Sequence, residues 1–276
     1  MEINLKITKD AFELAVPVAK EPKGNIFSRL EEKINANIED IAFDRLGDVG
    51  IAECNGHEDG KLARTVLAFA SVDVFIHQMR NLDLVLTSSG FGVVSTQNTA
   101  PASKMRVDAL DGEMRVEWLR LNDELSELCF KLEGWYQQGL VVIESLFCFF
   151  KLMKPFGGFQ SPLAKDWQDA QAVILSTDRW LREKISDEYM NELIEQMATN
   201  SLTAPNRGIV HQIRRIIGVA MQGNSQAVTE YYRRLMNTLE ADTETFSTYA
   251  GSLAYETNHF KPYENTEDSG AFHFVG

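Results

Sequence analysis

Apolar positions along this chain recur mostly at steps of three and four. Phe27, Leu30, Ile34, Ile38 and Ile41 keep that rhythm behind Ser28 and Glu31, which read as a capping box, and Gly47 stops it. The spacing predicts an amphipathic helix. Asp48–Gly60, punctuated by Gly50, Gly56 and Gly60, reads as a loop. Leu62–Met79 differs: between Thr65 and Ile76 only Thr65, Ser71 and Asp73 are polar, so this helix belongs in the middle of a bundle. The period then drops to two. Leu82, Leu84 and Leu86 alternate, Ser88-Ser89-Gly90 supplies a turn, and Phe91–Ser95 adds two valines, which predicts a β-hairpin at about 82–96.

Thr99 and Pro101 open a long helix, a capping hydroxyl followed by a proline where no N–H is needed. Its stripe runs from Leu110 through Trp118, Leu121, Leu125, Leu128 and Leu132 to Trp135. The longest apolar run, Leu140–Phe150, is interrupted by Glu144 and Ser145; it is too short for a bilayer and reads as a core helix. Lys154–Pro162 (KPFGGFQSP) marks the internal boundary. Beyond it Leu163, Trp167, Ala170 and Ile174 share one helix face. A second helix runs on to Met197 with a break expected at Ser186. Ile209, Ile213 and Ile216 make a third, closed by Gly223-Asn224, and Val228, Tyr231, Leu235 and Leu239 a fourth.

The pattern predicts a mainly α fold, helical bundles with one small β-hairpin inserted between helices. Its expected parts are an N-terminal arm (1–25), a helical domain (26–153), a linker (154–162) and a second helical region ending in a C-terminal arm (163–276). The two halves repeat a rhythm of helices, which fits either an old duplication or a simple succession.

Composition narrows the class. With 44% hydrophobic residues over 276 positions, a core forms without disulfides or metals. A net charge of −13 argues against a broad duplex-DNA interface, which needs a basic face. Cys54, Cys129 and Cys148 are odd in number and far apart, as expected of buried small residues in a reducing compartment. MEINLKITKD lacks the layout of a signal peptide.

Candidate chemistry is sparse. Gly90 and Gly92 resemble half a dinucleotide loop, but the residues after them are β-like and the third glycine is missing. Asp73 and His77, four apart, read as a satisfied polar pair in the core or at a subunit contact. His57-Glu58-Asp59 and the Glu39, Asp40, Asp44 edge read as solvated, and Glu144 as an acid within a helix that snorkels or pairs with Lys151. Arg207, His211, Arg214, Arg215, Arg233 and Arg234, near Tyr231 and Tyr232, form the one basic concentration, expected mainly to pair with acids. No catalytic, cofactor or metal residue is expected.

The stretch Leu82–Leu110 reads LDLVLTSSGFGVVSTQNTAPASKMRVDAL. It resembles a family of uncharacterised proteins encoded by phages and prophages of gut bacteria, in Leu86-Thr87, Ser89-Gly90, Val93-Val94, Asn98 and Ala100–Ser103. The close, YENTEDSGAFHFVG, is similar to their acidic-then-aromatic ends. The resemblance implies a virion structural protein similar to head–tail connector or completion (adaptor) subunits, although this chain is about twice the usual length. Implied partners are copies of itself or other virion proteins, portal or tail, without a membrane and with DNA only in passage or weak local contact. The implied location is the cytoplasm during assembly, then the virion. Leu84, Leu86, Phe91, Val93, Phe272 and Phe274 are the expected subunit contacts. Two other classes stay open: a cytoplasmic helical binding or regulatory module with no virion role, and an enzyme on an all-α scaffold, which predicts a deep pocket joining Asp73, His77 or Glu144.

Overall fold

The computed structural model describes residues 1–20, 26–82, 84–87, 90–93 and 104–260, with 84–87 and 90–93 given by backbone alone. Helix α4 (Lys61–Leu82) organises the first half. It buries twelve residues around most of its circumference, Leu62, Val66, Phe69, Val72, Phe75 and Met79 among them. α1 (Lys9–Ala15), α2 (Ile26–Ile41) and α5 (Lys104–Cys129) all pack on it. The α2 stripe faces inward as its spacing requires, with Leu30, Ile34, Ile38 and Ile41 all buried.

Residues 1–8 lie extended along this body, and period two shows in the burial of Ile3, Leu5 and Ile7. Asparagine side chains stand in for a neighbouring strand. Asn55 accepts from the Asn4 N–H at 2.8 Å and donates to the Glu2 carbonyl at 2.8 Å. Asn35 accepts from the Ile7 N–H at 3.0 Å.

After α2 the chain makes a π-helical turn, Ala42–Leu46, and enters α3 (Gly47–Gly56). Residues 48–56 are therefore helical, where their glycines suggested a loop. Ile51 and Cys54 supply a buried face, and Gly50 lies so close to Leu46 that a Cβ there would meet its Cβ at 2.8 Å. Packing outweighs glycine's propensity cost of about 1 kcal/mol per residue. Gly47 has φ +58°, and a Cβ there would stand 2.4 Å from Gln138 Oε1. That side chain donates to Leu46 O at 3.3 Å and accepts from Val49 N–H at 3.3 Å, so it holds the corner.

The expected β-hairpin at about 82–96 does not stand as an element of the fold, which is 74% helical. Leu82, the first residue of the alternation, closes α4. The backbones of Leu84–Thr87 and Gly90–Val93 lie antiparallel, Leu84 opposite Val93, but join no third strand among the described residues. Two strands alone make no layer and bring no independent stability. The packed body is built from helices and the segments between them.

The second half centres on α8 (Ala204–Met221), which packs on α6 (Ala164–Lys184) and α9 (Ser225–Ala241) through Ile209, Ile213, Ile216 and Ile217. α7 (Asp187–Ala198) begins where Ser186 accepts from Tyr189 N–H at 3.0 Å, and Asn224 likewise caps α9. Short helices α10 (Ser247–Ala250) and α11 (Leu253–Asn258) finish the described chain.

Between the halves, residues 140–149 are not a helix, and the expected helix is reduced to a 3-10 turn that begins at Phe150. They form an extended strap with Val142 and Glu144 exposed, then Ser145, Leu146 and Phe147 buried. The cause lies in Val141-Val142-Ile143, three β-branched residues in succession that disfavour helix, and in Gly134 and Gly139, both at positive φ, which end the preceding turns. The KPFGGFQSP segment is packed too: a Cβ on Gly218 of α8 would stand 2.2 Å from Phe156 O.

Candidate functional site

Asp73 lies on α4 facing both neighbours. Its Oδ1 accepts from Trp118 Nε1 of α5 at 2.8 Å and its Oδ2 from Asn37 Nδ2 of α2 at 3.1 Å. His77 is exposed and meets Asp73 as the spacing of four predicts, with Nδ1 2.8 Å from Asp73 O and 3.8 Å from Asp73 Oδ1. The carboxylate therefore ties three helices together. Spacing along α4 pointed to His77 as its partner; Trp118 and Asn37 come from other helices and gave no local signal.

The most perturbed acids hold the strap. Asp123 of α5 is buried and accepts from the N–H groups of Phe150 and Lys151 at 3.1 and 2.8 Å, capping a 3-10 turn, Phe150–Met153. Burial raises its pKa to about 6, against the pull of those two donors. Asp178 of α6 accepts from Arg182 Nε at 2.7 Å, and burial raises its pKa as well. Its Oδ1 has no partner at hydrogen-bonding distance among the described residues, with Ser145 and the Leu146 N–H nearby. Arg214 of α8 donates to Leu146 O at 2.9 Å. Two helices, α5 through Asp123 and α8 through Arg214, thus bond the backbone of one extended segment, and Asp178 of α6 lies beside it. The geometry suits anchoring: Asp123 and Arg214 bind backbone inside the fold.

The basic concentration forms a face across α8 and α9. Tyr231 sits between Arg215 and Arg234, whose guanidinium carbons lie 5.6 and 5.5 Å from the ring centroid. Glu230 pairs with Arg234. Phe156 meets His211 edge-on at 4.8 Å, and Arg214 is turned inward to the strap. Arg214 therefore serves the interior, while Arg215 and Arg234 flank Tyr231 on the surface.

The other sequence candidates scatter. Glu39 pairs with Lys6 at 3.1 Å, and His57 sits 3.4 Å from Glu53 at the turn between α3 and α4. Glu144 is exposed on the strap, not set within a helix, and Lys151 pairs instead with Glu127. Glu144 lines a cavity that includes neither Asp73 nor His77. No three potential metal ligands converge among the described residues. Side chains of Leu84, Leu86, Phe91 and Val93, and all of Phe272 and Phe274, lie outside the described residues.

One surface feature had no forecast. The π turn leaves Phe43 80% exposed, on a groove of about 1000 Å³ between the extended arm and the start of the strap. Met1, Ile3, Gly47, Gln138 and Leu140 also line it. Burying such a ring is worth about 1.5–3 kcal/mol, and π turns recur at functional sites. The available signal was an aromatic residue off the stripe of Ile34, Ile38 and Ile41.

Residues 54–127 match a family of unknown function, DUF6712. The matched stretch runs from the end of α3 through α4 and nearly all of α5, about a quarter of the chain, so the similarity concerns the central helix pair and brings no activity with it. No curated protein and no solved structure matches the chain. Among the described residues no helix is long and apolar enough to cross a membrane.

Proposed function

We propose that this protein is a structural subunit of a phage or prophage virion, of the head–tail connector or completion kind, working by protein–protein assembly and not by catalysis. Support comes from the resemblance over residues 82–110 and from the groove beside the arm. The observation that carries the reading is Phe43, an aromatic ring left in water at the edge of a broad groove, where a partner would gain by covering it. Its partners in this reading are sister copies or the portal and tail proteins, met in the cytoplasm and retained in the virion. The net charge of −13 suits a wall that DNA passes without adhering, because phosphate affinity comes mainly from Lys and Arg.

The test is to mix the purified protein with the portal ring and tail proteins encoded beside it and to measure particle mass by light scattering. We expect a complex or a higher oligomer, lost in Phe43→Glu while its circular dichroism stays unchanged. A protein that stays monomeric with every such partner, or neighbouring genes that are metabolic, overturns the virion role. A complex that Phe43→Glu leaves intact removes the groove from it.

A further inference from the structure

Arg45 leaves the π turn and runs in between α5 and the strap. Its Nη1 donates to Asn122 Oδ1 at 2.7 Å and its Nη2 to Ser126 Oγ at 3.0 Å. The guanidinium carbon stands 5.7 Å from the Phe69 ring centroid. All of these partners are neutral. Arg182, by contrast, has Asp178 at 2.7 Å. A guanidinium drawn out of water calls for an opposite charge, yet among the described residues none lies within ion-pair distance of Arg45. Arginine carries five N–H donors, and two of them find acceptors among the described residues.

Arg45 also lines an open cleft of about 240 Å³ between α5, the strap and α6. Asn122 and Ser126 stand with it on the wall. Val142, Trp167 and Leu175 offer accessible apolar surface, with Gln171 among them. The space equals roughly eight waters' share of liquid volume.

We propose that this cleft binds a small organic carboxylate, its anionic group paired with the remaining N–H groups of Arg45 and its compact apolar body against Val142, Trp167 and Leu175. Bidentate pairing suits a carboxylate to arginine. Inorganic phosphate would satisfy the charge and leave the apolar wall uncovered. Glu144 is exposed and also lines this cleft, where it opposes an anion weakly through water. The inference is independent of the assembly role.

Phenylacetate is the probe, titrated into the full chain and followed by the Trp167 indole N–H resonance and by calorimetry. Saturable one-to-one binding is expected, with phenylacetamide and inorganic phosphate each at least about tenfold weaker, the worth of one charge-assisted pair. Arg45→Met should weaken phenylacetate by a similar factor, and Glu144→Gln should tighten it about two- to fivefold. If Arg45→Met fails to fold, the amide control and Glu144→Gln still decide. Absence of saturation at millimolar phenylacetate, equal affinity for the amide, or equal binding by a folded Arg45→Met protein overturns the site.

Discussion

Single residues carry much of the chemistry here through backbone they do not neighbour in sequence. Asp123 illustrates this with a measurable consequence. Its folded pKa of about 6 lies above the ordinary 3.8, so folding favours the neutral acid. The associated stability is complete below about pH 4 and is lost as pH rises through about 6. A gap of about two pH units corresponds to on the order of 3 kcal/mol. In urea unfolding, the stability of wild type relative to Asp123→Asn should therefore decline by that order between pH 4 and pH 7 and level off above. A difference that does not change with pH would show that folding leaves the carboxyl's pKa unshifted. The sequence offered no hint of this role, because the N–H groups that Asp123 caps lie 27 and 28 positions onward. Asp73 was legible as a polar group in an apolar helix, but not its bonds to Trp118 and Asn37. Phe43 and Arg45 stand on a turn whose extra residue no local spacing encodes.

At the scale of elements, period was the reliable signal and composition the unreliable one. The inward stripes of α2 and α8 follow directly from steps of three and four, the all-round burial of α4 from its near-continuous apolar run, and the breaks at Ser186 and Asn224 from capping side chains. Glycine content misled at α3, where close approach to Leu46 puts a glycine to use inside a helix. Hydrophobicity misled at the strap, where three β-branched residues mattered more than the length of the apolar run. Alternation misled at Leu82, whose backbone closes a helix. The extended arm is held by asparagine amides, and that arrangement can be probed directly. Asn35→Ala with Asn55→Ala should raise hydrogen exchange at Asn4 and Ile7 well above that of the α4 core, at about 0.5–1.5 kcal/mol of stability for each bond removed. Unchanged protection would mean that burial of Ile3, Leu5 and Ile7 alone fixes the arm.

The whole molecule joins two helical groups through a segment that serves both. Asp123 belongs to the first group and Arg214 to the second, and between them they bond the backbone of Leu146, Phe150 and Lys151. Gly218 admits the Phe156 carbonyl into the surface of α8. We therefore expect one cooperative transition in calorimetry for the intact chain, and poorly dispersed NMR spectra for residues 1–153 and 163–276 produced separately. Two separate transitions, or a well-dispersed spectrum from either piece, would show that the halves fold independently.

The stretch richest in proline and glycine is where a genetic engineer would place a reporter and where recombination would be expected to find a joint. Its carbonyl at Phe156 fills a notch made by a missing side chain on the opposite half. Because the occupant is a main-chain carbonyl, which any residue at 156 supplies, a chimera spliced there should tolerate exchange of the loop but not a donor half that carries a side chain at position 218.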